Sequence, residues 1–287
     1  MARYVTEAEV AGLLTPAEAY AAVDASFARL AAGAVDNPPR VRATVPGGDF
    51  AVMPCVDREL GYAGLKSYVW LEGGTPFVVV LFSLAHARLE AVVEADLLGR
   101  LRTAAASAVA AKRLARPEAC TLGIFGCGRQ AATHVAALRA ALPIERVVVA
   151  GRDPGRLAAF CAEHGCEPGD PSACDVVVTV TTAREPVLRG SGLSPGATVI
   201  AVGANDPSLR ELDDAVLERA ALVCCDSIEQ SQLEAGDLIG RVDWSRVREL
   251  QNLHERDRDD DIVVFKSNGL AAWDLAAAAR VVELATA

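Results

Sequence analysis

The feature that most constrains the fold is a glycine-rich turn near the middle of the chain. An apolar run ending at Phe125 leads into Gly126-Cys127-Gly128-Arg129-Gln130-Ala131, and a helical pattern follows. This is a G-x-G-x-x-A pattern with a strand before it and a helix after it. The first glycine permits a tight turn, the second lets the backbone approach a pyrophosphate at the helix N-terminus, and the small sixth residue lets helix and strand pack closely. The pattern predicts a dinucleotide site.

The chain after Cys120 alternates between short apolar strands and helical stretches. Such alternation is typical of βαβ units and predicts a parallel, doubly wound sheet with helices on both faces. The expected strands of this sheet cover residues 120–125, 146–150, 175–181, 198–202 and 222–225. Past Asp261 come one more apolar run at residues 262–265, the turn Ser267-Asn268-Gly269 and an alanine-rich helix.

The first part of the chain has a different pattern. Thr15-Pro16-Ala17-Glu18 has the form of a capping box with proline at the first helical position, so a helix should begin there. Between residues 40 and 94, short β-branched and aromatic runs are separated by glycine, proline and aspartate, which predicts antiparallel strands. A long alanine-rich helix is expected at residues 96–116.

Together these patterns predict an α/β chain of two domains. A Rossmann-type domain with a doubly wound parallel sheet should cover residues 117–262. A discontinuous α+β domain should combine residues 1–116 with residues 263–287. The N-terminal strands have no obvious cover for one face of their sheet, and the last helix can supply that cover by returning after the parallel domain.

Composition argues against several classes of function. The formal net charge of -10 is unfavourable for a phosphate backbone, so no nucleic-acid partner is expected. The apolar runs are too short to span a membrane, and the start of the sequence is too polar for a signal peptide. The eight cysteines contain no Cys-x-x-Cys, and no His/Cys cluster has metal spacing. We therefore expect a cytoplasmic protein with reduced thiols and no metal.

The residue after the second expected strand of the parallel sheet separates the two common dinucleotides. An acidic residue at this tip binds a ribose 2′-hydroxyl, whereas a basic residue accommodates a 2′-phosphate. Here Gly151 is followed by Arg152, which favours NADP(H), while the next residue, Asp153, keeps NAD(H) as the alternative. The full set of candidate cofactor contacts lies where the strands end: Gly126, Cys127, Gly128, Arg129, Gln130, Gly151, Arg152, Thr181, Thr182, Val202, Gly203 and Ser267.

A series of short motifs in fixed order resembles the ornithine cyclodeaminase/mu-crystallin family over nearly the whole chain. The Arg-Thr-Ala-Ala element shortly before the glycine-rich turn is the most specific of them. The motifs are Pro38-Pro39-Arg40, Gly64-Leu65-Lys66, Leu101-Arg102-Thr103-Ala104-Ala105, Gly126-Cys127-Gly128, Ala201-Val202-Gly203-Ala204-Asn205, Arg210-Glu211-Leu212, Gly236-Asp237-Leu238 and Phe265-Lys266-Ser267-Asn268-Gly269-Leu270.

The resemblance implies a dinucleotide domain, a split substrate domain that also forms a homodimer, and small amino-acid or imino-acid substrates. It implies that Arg40 and Arg102 hold the substrate carboxylate, with Lys66 beside the reacting C–N bond as carboxylate ligand or proton donor. The residue types suit these roles, because arginine presents a planar fork to a carboxylate and burial can shift the pKa of a lysine. For Arg102 a purely structural role, capping or cross-linking a buried helix, stays open.

The sequence departs from the family in two places. The turn after the strand ending at Phe82 carries Ser83, His86 and Ala87, where family members often have Asp, Thr and Gly. Asn205 stands where the family's cyclodeaminases place an aspartate. An amide cannot shuttle protons near neutral pH, although it can orient a substrate nitrogen or the nicotinamide amide.

These departures favour one activity among those that the resemblance implies. We expect an NAD(P)H-dependent imine or ketimine reductase, with Lys66 and Asn205 as the candidate catalytic residues. The alternatives are an ornithine- or lysine-type cyclodeaminase, an amino-acid dehydrogenase, and a protein that binds NADP or a ligand without turnover. The neighbouring Asp206 is a candidate substitute for the missing acid, but its side chain is displaced by one position.

Overall fold

The structure is a computed structural model that describes residues 2–72, 74–253 and 255–286. The chain divides into two compact units: unit 1 comprises Met1–Ala106 and Gly269–Ala287, and unit 2 comprises Ser107–Asn268. The boundary near residue 106 falls within a long helix, about ten residues before the boundary expected from the sequence. Each unit has its own sheet.

The regular elements are numbered in chain order. The strands are β1 (Arg3–Val5), β2 (Val35–Asp36), β3 (Val41–Val45), β4 (Gly48–Asp57), β5 (Tyr62–Leu71), β6 (Phe77–Ser83), β7 (Arg88–Glu94), β8 (Thr121–Phe125), β9 (Arg146–Ala150), β10 (Glu167–Pro168), β11 (Val176–Thr179), β12 (Thr198–Ala201), β13 (Ala220–Cys225), β14 (Arg248–Glu249) and β15 (Ile262–Lys266). The helices are α1 (Glu7–Leu13), α2 (Pro16–Ala31), α3 (Asp96–Leu114), α4 (Arg129–Ala141), α5 (Pro154–His164), α6 (Asp214–Arg219), α7 (Ile228–Glu234) and α8 (Ala271–Leu284).

The sheet of unit 1 has the order β1-β7-β6-β5-β4-β2, with β3 also paired to β4. All its pairs are antiparallel except β1 with β7. The central strands alternate between the two faces, so Ala51, Met53 and Cys55 of β4 are buried on one side while Phe50 is exposed on the other. This confirms the antiparallel strands expected between residues 40 and 94.

The C-terminal helix covers the buried face of this sheet, as the sequence led us to expect. α8 packs against β4, β5 and β6, and also against α2. Its Trp273 is fully buried, and the ring lies 5.1 Å from that of Phe27 on α2, centroid to centroid. The hydrophobic effect acting on this interface ties the end of the chain to its beginning.

The helix caps differ in part from the sequence prediction. Thr15 accepts a hydrogen bond from the backbone N–H of Glu18, as expected, but the Glu18 side chain pairs with Arg280 of α8 instead of returning to the cap. The complete capping box lies one helix earlier, between Thr6 and Glu9 at the start of α1. Sequence alone does not separate them, because a glutamate at the third helical position can fold back or reach a distant arginine.

Unit 2 contains a parallel sheet of the order β10-β9-β8-β11-β12-β15-β13-β14. The strand order reverses at β8, because β9 and β10 extend the sheet to one side and β11 and β12 to the other. In doubly wound sheets, ligands bind beyond the carboxyl ends of the strands at such a reversal. The glycine-rich turn follows β8 at this point.

The structure corrects the second expected domain boundary. β15 lies between β12 and β13, in the interior of the parallel sheet, whereas a boundary between residues 262 and 263 would assign it to the first domain. All five residues of β15 are buried. A short strand buried on both faces is a continuous apolar run, and such a run carries no periodicity that would assign it to one sheet or the other.

Candidate active site

The turn after β8 has the geometry that its glycines suggested. Gly126 has a φ of +120°, and a Cβ at this position would lie 2.8 Å from the carbonyl oxygen of Val180. Its backbone N–H donates to the carbonyl of Ala150 at the end of β9. A side chain is therefore excluded by both conformation and space, and the backbone turns sharply into α4.

The start of α4 is open on the side where a pyrophosphate would lie. Gly128 is the N-cap residue and supplies no side-chain cap, and a Cβ on it would meet nothing within 4 Å. The protein's own packing therefore gives no reason for glycine at this position, whereas close approach of a ligand does. The buried Oε1 of Gln130 in the first turn accepts no hydrogen bond from a described residue. These features fit a dinucleotide.

The turn after β9 contains the basic residue that the sequence associated with a 2′-phosphate. Arg152 is exposed in the turn between β9 and α5. Asp153 is the N-cap of α5, where its Oδ1 accepts the backbone N–H of Arg156 at 2.9 Å. The carboxylate that could have bound a 2′-hydroxyl thus already caps a helix. At the same tip, Gly151 leaves no room for a side chain, because a Cβ would lie 2.7 Å from the Sγ of Cys127.

A buried carboxylate holds the loops that follow β11 and β12. The Oε1 of Glu211 accepts the backbone N–H and the hydroxyl of Thr181, at 2.6 and 2.8 Å. Its Oε2 accepts the hydroxyl of Thr179 at 2.9 Å and the backbone N–H of Gly203 at 2.7 Å. Burial raises the pKa of this carboxyl, and the nearby ammonium of Lys266 opposes that effect. Two of the expected cofactor residues, Thr181 and Gly203, are therefore positioned by one side chain.

Glu211 is in turn fixed by a buried ion pair. The Oδ1 of Asp237 accepts the backbone N–H groups of Glu211 and Leu212, at 2.7 and 3.0 Å. The Nζ of Lys266, at the end of β15, lies 3.5 Å from the Oδ2 of Asp237, and both side chains are fully buried. These residues lie in the family motifs, but no role for them could be predicted, because nothing in the local sequence reveals that three charged groups meet.

The other expected cofactor residues occupy three kinds of position. Val202 continues β12, with its backbone N–H donating to the carbonyl of Thr179, and Thr182 is exposed in the loop after β11. Arg129 is exposed in the first turn of α4. Ser267 is buried, and its hydroxyl donates to the Oδ2 of Asp226 at 3.2 Å. The structure therefore shows Ser267 engaged with the protein interior.

Lys66 lies in the interior of unit 1, in the middle of β5. It is 4 % exposed, and its neighbours across the sheet are Met53 and Val79. The Nζ lies 3.2 Å from the Oδ1 of Asp274 on α8 and 5.1 Å from the ring centroid of Phe77. Burial and the charges of nearby arginines lower the pKa of Lys66 to about 8, against the opposing effect of the carboxylate.

Arg102 on α3 meets the same carboxylate. Its Nε donates to the Oδ1 of Asp274 at 2.8 Å, and its guanidinium carbon lies 5.9 Å from the ring centroid of Trp273. A Cβ on Gly269, which has a φ of +84°, would lie 2.8 Å from the Nη1 of Arg102. The glycine before α8 therefore gives the arginine room, and the Nε contact leaves the Nη1 and Nη2 end for another acceptor.

Arg40 completes the group of cations that the sequence predicted. It immediately precedes β3, and its guanidinium carbon lies 6.0 Å from the ring centroid of Tyr68 on β5. Its charge, like that of Arg102, contributes to the lowered pKa of Lys66. Three cations far apart in sequence are thus brought into one electrostatic neighbourhood, and the carboxylate of Asp274 lies among them.

Asn205 lies four residues beyond the end of β12, in the segment expected at the carboxyl edge of the sheet. It is half-buried, and its backbone N–H donates to the carbonyl of Gly203. The neighbouring Asp206 uses its Oδ1 to accept the backbone N–H and the hydroxyl of Ser208, at 2.9 and 2.7 Å. That carboxylate oxygen serves a local turn, so the structure gives no support to Asp206 as a replacement acid.

Neither His86 nor His134 offers an obvious proton donor. His86 is exposed in the turn between β6 and β7. His134 is fully buried, with Nδ1 2.7 Å from the carbonyl oxygen of Gln130 and Nε2 3.0 Å from the hydroxyl of Ser107. The carbonyl requires a hydrogen on Nδ1, so Nε2 accepts from the serine. Burial lowers the pKa of His134 to about 4, which suits a neutral bridge between α3 and α4.

Two further features concern metals and membranes. Within the described ranges, no group of three or more His, Cys, Asp or Glu side chains could hold a metal ion, and the eight cysteines there are free thiols. No helix among the described residues has both the length and the apolar character needed to cross a bilayer.

Comparison with known proteins identifies the family. The sequence profile of the ornithine cyclodeaminase/mu-crystallin family matches residues 2–287. The chain belongs to this family. The alanine dehydrogenase of Archaeoglobus fulgidus is 32 % identical over 309 aligned residues, covering 97 % of this chain and 94 % of the relative.

Two further members of the family are named reductases. Delta(1)-pyrroline-2-carboxylate reductase 2 of Burkholderia ambifaria is 34 % identical over 287 aligned residues, covering 94 % of this chain and 92 % of the relative. The solved structure of Thermococcus litoralis Delta(1)-pyrroline-2-carboxylate reductase in complex with NADH and L-proline superimposes with a TM-score of 0.92. It is 26 % identical, and the match covers 99 % of this chain and 97 % of that one. The expected fold class, a Rossmann-type sheet with a second α+β domain, is confirmed.

The buried carboxylate behind the cofactor loops generates a prediction for this site. In Glu211→Gln, the amide nitrogen would face an N–H donor of Thr181 or Gly203. We expect the free energy of unfolding to fall by about 2–4 kcal/mol. Because the two loops lose their shared anchor, the Kd for NADPH should rise at least about tenfold, a loss of roughly 1.4 kcal/mol.

The matched control is Glu218→Gln, which makes the same change on the exposed side of α6. Chemical denaturation and fluorescence titration with NADPH should show it unchanged. If the Glu211 variant binds NADPH as tightly as the wild type, then Glu211 does not position the cofactor loops.

Proposed function

We propose that the chain is an NAD(P)H-dependent imine or ketimine reductase acting on a small, carboxylate-bearing, amino-acid-derived C=N substrate. The observation that carries the proposal is the group of three cations in unit 1, in which Lys66 and Arg102 are buried and Arg40 is half-buried, in a chain whose unit 2 has an open glycine-rich turn. Anchoring cations and a proton donor are what reduction of an imino acid requires. The reductase names of family members and their NADH complex support the same activity.

The substrate carboxylate binds the arginines. Arg102 has its Nε on Asp274, so its two Nη groups form the bidentate fork, and Arg40 supplies a second positive charge. With the carboxylate fixed at one end, the C=N bond next to it has a defined place beside Lys66. Holding the reacting groups in a fixed geometry lowers the activation barrier, because the entropy of orienting them is lost on binding and not in the chemical step.

Lys66 supplies the proton that the reaction consumes. The reduced nicotinamide, when bound, supplies a hydride to the imine carbon. The Nζ of Lys66 gives its proton to the imine nitrogen, so a C–H and an N–H bond form as the C=N π bond is lost, and the lysine is reprotonated from solvent. A pKa of about 8 keeps the group largely protonated at neutral pH while making it a stronger acid than an ordinary lysine.

The main alternatives are a cyclodeaminase and an amino-acid dehydrogenase. Asn205 disfavours cyclodeamination, because an amide cannot take a proton from an amine or activate water near neutral pH. In the reductase, Asn205 orients the substrate nitrogen or the nicotinamide amide. The similarity to an alanine dehydrogenase supports the dehydrogenase alternative, and such an enzyme would bind its substrate with the same cations. A binding protein without turnover would not need the lysine beside its anchors.

A substrate comparison tests the proposal. With NADPH, Δ1-pyrroline-2-carboxylate should be reduced, and 1-pyrroline, which lacks the carboxylate, should react at least about a hundredfold less efficiently in kcat/KM. L-ornithine with catalytic NAD should release neither ammonia nor proline, and L-alanine with NAD should give little NADH. Robust ammonia and proline from ornithine would overturn the reductase assignment, as would equal rates with the two imines.

For the cofactor, we propose NADP(H) over NAD(H). The support is the exposed Arg152 at the tip of β9 and the capping role of Asp153. A charge-assisted contact to a 2′-phosphate is worth about 1.5–3 kcal/mol, so NADPH should bind roughly tenfold or more tightly than NADH.

Arg152→Ala should weaken NADPH binding and leave NADH binding nearly unchanged. Arg189→Ala, which removes an exposed arginine elsewhere in unit 2, serves as control and should alter neither. Fluorescence titration of both dinucleotides measures the four affinities. Equal affinities for the two dinucleotides in the wild type would refute the preference.

We also propose that unit 1 forms a homodimer. The sheet face away from α8 carries Phe50, Leu71 and Phe82, which are 38–44 % exposed, among half-buried valines. An apolar sheet face of this kind is unfavourable in water unless it is covered. Light scattering at micromolar concentration should give the mass of two chains, and a monomeric mass would contradict the proposal.

The remaining assignments follow from composition. A net charge of -10 and free thiols suit a cytoplasmic enzyme of small amino or imino acids, and we propose neither a nucleic-acid nor a membrane partner.

A further inference from the structure

One buried carboxylate contacts two of the three proposed substrate-binding cations. The Oδ1 of Asp274 lies 3.2 Å from the Nζ of Lys66 and 2.8 Å from the Nε of Arg102. Asp274 is fully buried in the first turn of α8, and its Oδ2 accepts no hydrogen bond from the described part of the chain. One oxygen thus serves two cations from different elements, β5 and α3.

Stability alone does not account for this arrangement. Removing charges from water costs several kcal/mol per ion, and a buried carboxylate with one oxygen left over recovers less of that cost than a fully hydrogen-bonded one. An apolar side chain in α8 would cover the sheet as well, as its neighbours do. The carboxylate has to be explained by what it does to the two cations.

We propose that Asp274 is a positioning residue that keeps Lys66 protonated before substrate binds and turns the Nη end of Arg102 toward the substrate carboxylate, an inference that rests on the proposed reductase function. The two effects have one origin, because both cations share the same oxygen. Asp274 itself contacts neither the reacting bond nor the carboxylate in this scheme.

Three charged groups from different elements act on Lys66. Arg102 from α3 and Arg40 from the segment before β3 both favour a neutral lysine, as does burial. From β4, the thiol of Cys55 faces Asp274, but burial raises its pKa to about 12, so it stays neutral. Asp274 is therefore the anion that opposes these effects on Lys66, until a substrate carboxylate arrives.

For catalysis, Lys66 must already be protonated when the substrate binds. Without Asp274, three cations would be gathered with no anion, and the lysine would lose its proton because the arginines cannot lose theirs. The imine would then meet a neutral amine, which cannot protonate its nitrogen. With Asp274, the ammonium is present before binding, its proton passes to the imine nitrogen as hydride reaches the carbon, and solvent restores it.

The chain allows a direct test, because it contains only three lysines, Lys66, Lys112 and Lys266. With lysine labelled by ¹³C at the ε carbon, NMR titration of the protein without cofactor or substrate reads the pKa of each. Lys112 is exposed and is assigned with Lys112→Arg, and Lys66 is assigned with Lys66→Arg. We expect Lys66 to titrate near 8 in the wild type and at least about one pH unit lower in Asp274→Asn, a tenfold loss of proton affinity.

Asp57→Asn provides a matched control. Asp57 is another fully buried carboxylate of unit 1, on β4, and its Oδ2 accepts from the Nε of Arg29 at 2.7 Å. This variant should lose stability and leave the titration of Lys66 unchanged. If Asp274→Asn also leaves it unchanged, the role of Asp274 is structural and the inference is overturned.

Activity supplies a second readout with a definite sign. Reduction needs protonated Lys66, so kcat/KM falls as pH rises through the lysine pKa. Since Asp274→Asn lowers that pKa, the fall should move to lower pH, and KM for the carboxylate substrate should rise as Arg102 loses its orientation. Asp274→Glu, which keeps the charge, should restore most of the pH profile. A fall at unchanged pH in Asp274→Asn would contradict the inference.

The two proposals fail separately. If the wild type reduces no imine, the proposed function is wrong, but the NMR titration still decides whether Asp274 controls Lys66. If Asp274→Asn does not fold, Arg102→Gln replaces it in the NMR experiment. With the competing cation gone, the pKa of Lys66 should rise, and an unmoved pKa would contradict the inference.

Discussion

The contact on which the proposed chemistry depends is the shared oxygen of Asp274, which lies between Lys66 and Arg102. It joins the middle of β5, the second turn of α3 and the first turn of α8. Three like charges would not gather in a poorly solvated space without an anion, because each raises the cost of the others. The return of the chain to unit 1 through α8 supplies that anion, and the same helix covers the sheet that carries Lys66.

A second buried carboxylate has a comparable role in unit 2. Glu211 gathers backbone and side-chain donors from the loops after β11 and β12, and Asp237 with Lys266 holds Glu211 in place. In both units, then, a carboxylate on one element fixes groups contributed by others. In both units the carboxylate is fully buried and lies behind the residues that we propose to contact ligands.

Much of the framework could be predicted from the sequence. The glycine-rich turn, the parallel sheet and the antiparallel strands follow from local patterns, and the family motifs pointed to Arg40, Lys66 and Arg102. The role of Asp274 could not be predicted, because it lies in an alanine-rich helix 172 residues from its arginine partner, and local sequence does not report a pairing across that distance. The place of β15 in the parallel sheet was missed for a related reason, since a short apolar run does not reveal which strands lie beside it.

The most direct test of the proposed mechanism is a crystal structure of the protein with NADP+ and L-proline, the product of the proposed reduction. We expect the proline carboxylate on the Nη groups of Arg102 and on Arg40, with its nitrogen within hydrogen-bonding distance of the Nζ of Lys66 and Asp274 still bound to both cations. A proline whose carboxylate binds elsewhere, or whose nitrogen points away from Lys66, would contradict it.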